Sequence, residues 1–129
     1  MKIYAEHKKA YYDYDIQEKF EAGLVLVGTE IKSLRQQAPN LKDSFVEVYQ
    51  RGPSLEAWLL NSHFAPYSHG NIWNHEATRA RKLLLHRHQI EKLYGAKIQK
   101  GMTIVPTRMY FKNGKAKVEL GLGKGKKKH

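Results

Sequence analysis

The chain has 129 residues, 41% of them hydrophobic, which suits one domain with a buried core. It has no cysteine, no membrane-length apolar run, and no apolar centre in its opening MKIYAEHKKAYYDYD. Disulfides, thiolate chemistry, a membrane span and a signal peptide are thereby disfavoured, and a cytoplasmic protein is expected. The net charge of +11 is uneven: residues 1–78 hold 8 Lys+Arg against 10 Asp+Glu, and residues 79–129 hold 15 against 2. A near-neutral first part and a basic second part point to a polyanionic partner. The alternative is a basic surface that serves only solubility.

In chain order, YDIQEKFEAGLVLVG (14–28) reads as extended, with Ile16, Leu24 and Leu26 suggesting a face and Gly23 a bulge or bend. TEIKSLRQQ (29–37) predicts a short helix capped by Thr29 and stopped near Pro39. SFVEVYQ alternates, and LEAWLLN follows the Gly52-Pro53 turn, so 44–61 predicts a hairpin. Residues 80–85 predict a strand entering a helix that starts at His86, carries an Ile90, Leu93 and Tyr94 stripe, and ends at Gly95. MTIVPTRMYFKNGKAKVELGLG predicts a second hairpin through Asn113-Gly114, with an edge or bulge at Pro106. After Leu122 nothing apolar remains, so residues 123–129 are expected to be a disordered basic tail beyond a domain spanning 1–122. These elements make a mostly β fold, an OB-like antiparallel barrel with two or three short appended helices, a form that binds oligonucleotides.

Catalytic and metal chemistry find little support. His86 and His88 would project about 200° apart on a helix. His69 and His75 flank a loop without an acidic cluster, and GLGKGK lacks the helix that a phosphate loop needs. No metal, no cofactor and no catalytic residue are expected. RNA binding fits better, since Lys and Arg hold phosphates and aromatic rings stack on unpaired bases. In TRARKLLLH the side chains of Arg79 and Arg81 would share a strand face, with Lys82 and Leu84 on the other. Along the chain only Glu76 upstream and Glu91 downstream come near, and neither is placed to pair with them, so the arginines suggest a phosphate clamp. The alternative is pairing with an acid that folding brings close.

KFEAGLVLVGTEIKSLR (19–35), NLKDSF (40–45), TRARKLLLH (78–86) and KVELGLGKGKK (117–127) together resemble the SmpB family, the SsrA-binding proteins of bacterial trans-translation. The resemblance runs from about His7 to Lys127. It implies an OB-like barrel without catalysis and a monomer that binds the tRNA-like domain of transfer-messenger RNA (tmRNA). It further implies delivery of that RNA, with elongation factor Tu, to stalled ribosomes. Glu21 and Leu84 match positions the family uses for tmRNA, and Lys8 and Lys9 match its N-terminal basic pair, although His7 stands where Asn is usual. The family's basic tail continues further, so the ribosome-probing part looks absent. The candidate RNA-binding residues are Lys8, Lys9, Tyr14, Glu21, Lys32, Arg79, Arg81, Lys82, Leu84, His86, Lys124 and Lys126. At an RNA surface Glu21 can act only as a hydrogen-bond acceptor, unless its part is to pair with a nearby cation. The runner-up function is a less specific OB-type single-stranded RNA-binding protein or RNA chaperone, with a ribonuclease a distant third.

Overall fold

The computed structural model describes residues 1–69 and 73–126. In chain order the elements are β1 (Lys2–Glu6), α1 (Lys9–Asp13), β2 (Tyr14–Leu24), α2 (Gly28–Gln36), β3 (Phe45–Arg51), β4 (Ser54–Leu60), β5 (Arg81–Leu84), α3 (Arg87–Lys100), β6 (Thr103–Lys112) and β7 (Lys115–Gly125). All pairings are antiparallel. Six strands close a ring in the order β6, β3, β4, β5, β2, β7 and back to β6, while β1 pairs along the far half of β6. Closure removes the edges that an open sheet would expose to other chains.

Alternation decides which side chains enter the ring. Phe20, Ala22 and Leu24 of β2, Val46 and Val48 of β3, Ala57 and Leu59 of β4, and Val118, Leu120 and Leu122 of β7 are all buried. Burying each larger one contributes about 1.5–3 kcal/mol relative to exposure. On α3, Ile90, Leu93 and Ala96 recur at three-residue spacing and are buried; this face packs against β3, β4 and β6. Asn113 and Gly114 adopt φ of 53° and 73°, the positive values that a two-residue hairpin turn with right-handed twist requires. The register slips between Pro106 and Arg108, so Pro106 marks the expected bulge.

Several expectations are corrected. Helix α3 passes through Gly95 and ends at Lys100, where Gly101 takes the left-handed conformation at φ 63°. Gly95 is helical, and a lone glycine inside a well-packed helix costs only about 1 kcal/mol. Helix α2 is capped by Val27, with Thr29 already inside its first turn. Gly23 is a point of close approach and no bulge; the β2 register slips instead between Ile16 and Glu18. The chain after Leu122 is not loose at once, because β7 runs to Gly125, with Lys124 opposite Asp15 and Gly125 opposite Tyr14. Lys126 N–H then donates to Asp13 O at 2.8 Å. Of the expected tail, Lys127, Lys128 and His129 lie outside the described residues. Strand β1 and helix α1 are additions that the sequence reading did not include.

Candidate nucleic-acid interface

Arg79 and Arg81 do have an acid, and it is Glu30 on α2. Arg79 Nη2 donates to Glu30 Oε1 and Arg81 Nε to Glu30 Oε2, each at 2.6 Å. Arg81 and Glu30 are fully buried. The other Arg81 donors are also taken: Nη1 by Ser62 O and Oγ, and Nη2 by the carbonyls of Glu76 and Ala77. Its guanidinium lies 4.1 Å over the Phe64 ring. All five N–H groups of a guanidinium are thus satisfied inside the protein. Arg81 is a structural cation and cannot reach a phosphate, so the acid-free clamp is corrected. Burial works to raise the Glu30 pKa. The Arg79 hydrogen bond, the Val27 N–H and the Arg81 charge outweigh it and hold the carboxyl below its ordinary range.

The alternation within TRARKLLLH is otherwise as read: Arg81 and Leu83 point inward, Lys82 and Leu84 outward. Leu84 is 55% exposed. It sits across from Gly23, where a Cβ would lie 3.3 Å from the Leu84 Cβ, so the missing side chain lets β5 and Leu84 close down on β2. Around Leu84 opens a cleft of about 730 Å³. Val25, Leu26 and Ile31 join Leu84 as its apolar floor, and Arg35, Lys115, Lys117 and His86 supply its rim. Glu21 stands on the same rim. Its carboxylate accepts a hydrogen bond from the Tyr110 hydroxyl and lies 3.4 Å from Lys112 Nζ. The Tyr110 bond, opposed by partial burial and aided by Lys112 and Lys117, holds the Glu21 pKa below normal. Glu21 is therefore an ionised acceptor oriented by a buried tyrosine, with part of its surface open. Removing that hydroxyl with Tyr110→Phe should raise the Glu21 pKa, read by an NMR titration of the side-chain carboxyl. An unmoved titration would mean that Tyr110 does not hold it.

Three of the expected residues, Glu21, Leu84 and His86, thus meet in one cleft. Lys82 faces a neighbouring groove and lies 3.7 Å from Glu56. Lys32 is exposed on α2, with its ammonium 5.5 Å from the Tyr67 ring centroid. Lys8, Lys9, Tyr14, Lys124 and Lys126 gather at the opposite end of β2 and β7, where Lys126 Nζ donates to Tyr11 O at 2.8 Å. Seven residues of strand, about 23 Å, separate Tyr14 from Glu21. His86 and His88 do not diverge: their rings stack 5.9 Å apart, because His86 is the extended N-cap and not a helical residue. No group of three or more metal-ligating side chains converges among the described residues. The sequence reading missed Arg35, Lys115 and Lys117. A signal existed for the two lysines, since residues two apart on a strand after the Asn113-Gly114 turn share a face.

A closed antiparallel barrel of this kind, with an apolar, cation-rimmed cleft on its wall, is of the OB-like class, whose members include oligonucleotide binders. The SmpB protein family model matches residues 4–129. The chain is 56% identical over 99% of its length to the SsrA-binding protein of Sulfurihydrogenibium sp. (strain YO3AOP1), covering 82% of that protein. It is 58% identical over 98% of its length to the SsrA-binding protein of Pelobacter propionicus, covering 80% of it. A chain of the solved structure "tmRNA-SmpB: a journey to the center of the bacterial ribosome" matches with TM-score 0.75 and 44% identity, over 97% of this chain and 85% of that one. The chain belongs to the SmpB family.

Proposed function

We propose that this protein is an RNA-binding adaptor of ribosome rescue. It binds the tRNA-like domain of tmRNA and brings it to stalled ribosomes for trans-translation. Membership of a family whose relatives are named SsrA-binding proteins supports the ligand. The observation that carries the site is Leu84, a large apolar side chain left 55% exposed on the floor of a cleft rimmed by Arg35, Lys115 and Lys117. Apolar floor against ribose and base, and cations against phosphate, is the division of labour that RNA recognition uses. Glu21 accepts hydrogen bonds from base N–H or 2′-OH groups beside it. The protein acts without catalysis, as a cytoplasmic monomer, and reaches the ribosome together with elongation factor Tu through the RNA.

A gel-shift competition tests this reading. The tRNA-like domain should displace single strands of equal length, and equal competition would instead support a general RNA chaperone. Binding should weaken steeply with salt, by about 0.7 to 0.9 log units per phosphate contact for each log unit of salt. Lys115→Ala with Lys117→Ala should flatten that slope by about one to two units. An unchanged slope would place the phosphates elsewhere.

A further inference from the structure

The NLKDSF segment plays no part in the cleft around Leu84, yet its backbone is tightly specified. Asn40 Oδ1 accepts from Lys42 N–H at 2.8 Å, and the Asn40 and His63 main chains exchange two hydrogen bonds of 2.9 Å. Ser44 N–H donates to Leu41 O at 3.1 Å. Asp43 is held at φ 63°, a left-handed conformation that most residues avoid and that Asp and Asn tolerate. The turn thereby places Lys42, Asp43 and Ser44 together on the wall of a second cleft, of about 380 Å³, that shares no residue with the first. Ser44 is 4% exposed, and its hydroxyl has no hydrogen-bond partner among the described residues. Buried hydroxyls are rarely left so.

The rest of the cleft has a consistent chemistry. Lys9 faces it from α1, and neither Lys9 nor Lys42 has a carboxylate within ion-pair distance among the described residues. Glu47 is already held by Lys97. Phe45, half-buried, offers an aromatic wall. The volume is at the small end of ligand sites. Asp13 lines the cleft beside Asp43, and acceptor-only carboxylates, an aromatic surface and two ammonium groups without an ion pair among the described residues do not describe a simple anion site.

We propose that this cleft binds a single unstacked guanine nucleotide. Guanine alone among the four bases presents two adjacent N–H donors, N1–H and N2–H, to a carboxylate such as Asp43. Adenine and cytosine set an acceptor beside their amino group, and uracil flanks its one N–H with two carbonyls. Phe45 stacks on the base, and Lys9 and Lys42 meet the phosphate. A free guanine nucleotide and an unpaired guanosine of an RNA strand share this chemistry.

The test is an NMR titration of the labelled protein with GMP, AMP, CMP and UMP, followed by a short RNA hairpin carrying one unpaired loop guanosine. GMP or the hairpin should shift the amides of residues 41–45 and 102–105. A guanine-to-adenine preference of about fivefold or more is expected from one bidentate contact. Shifts with GMP alone identify a free nucleotide as sufficient, and shifts with the hairpin alone identify an RNA strand. The hairpin arm is repeated in Leu84→Asp, which puts a carboxylate on the floor of the other cleft, so failure of the tmRNA reading leaves this result legible. Asp43→Asn keeps the left-handed turn and should erase the preference. No shift at millimolar GMP and hairpin, equal binding of AMP, or an intact preference in Asp43→Asn would each overturn the proposal.

Discussion

Replacing Glu30 with Ala should lower stability by about 3–5 kcal/mol, among the largest effects open to a single substitution in this chain. The cause is what remains behind. Arg81 cannot lose its proton or leave its site, so Glu30→Ala strands a buried guanidinium on neutral carbonyl and hydroxyl oxygens. Arg79, only partly exposed, loses its partner too. Combining Glu30→Ala with Arg81→Met should recover much of the loss, since removing both members of a buried pair is far milder than removing one. Urea unfolding of the three variants measures this, and a loss below about 1 kcal/mol in Glu30→Ala would refute it. The pH dependence has a definite sign. The Glu30 pKa is lowered on folding, so its contribution is full above the ordinary carboxylate range and is lost as pH falls through the lowered folded value. The pair also bears on the cleft. Ile31 and Arg35 follow Glu30 on α2, and Leu84 follows Arg81 on β5, so one ion pair fixes the spacing of two walls.

Leu84→Asp should separate binding from folding. The side chain projects outward and is mostly exposed, so the melting temperature should stay within the small range typical of surface changes. Affinity for the tRNA-like domain should fall by about two orders of magnitude, because a carboxylate would be forced against ribose and phosphate without a partner. Filter binding beside a thermal melt gives both readings. Undiminished affinity would remove Leu84 from the interface, and a collapsed melt would make it a core residue.

These two residues also show what the sequence could and could not disclose. Leu84 was legible through the family resemblance; alternation by itself set it with Lys82 on the face opposite Arg81, without telling which face is outward. The role of Arg81 was not, since its partner lies 51 residues away and nothing local points to it. The same long range hid the order at the end of β7. Gly123 read as looseness, yet a Cβ there would come within 2.4 Å of Asp15 O, so its bareness permits tight contact between β7 and β2. Gly95 and Gly101 are equally plausible helix ends on paper, and tertiary packing of Leu93 and Ala96 carries the helix past the first. The Asn113-Gly114 hairpin needed none of this, because its turn chemistry is contained in two residues.

The β2–β7 ladder, finally, behaves as a stiff rod anchored at both ends. Glu21 faces Glu119 near one end, and Gly125 faces Tyr14 at the other, with Lys126 pinned to Asp13 and Tyr11. The seven residue steps of β2 from Tyr14 to Glu21 hold these points about 23 Å apart. Any pull on the chain beyond Lys126 loads many cross-strand hydrogen bonds along the rod before it reaches the first cleft. A ligand held at Leu84 and another held at the far end would thus be kept at a set separation, as the jaws of a caliper are by its beam.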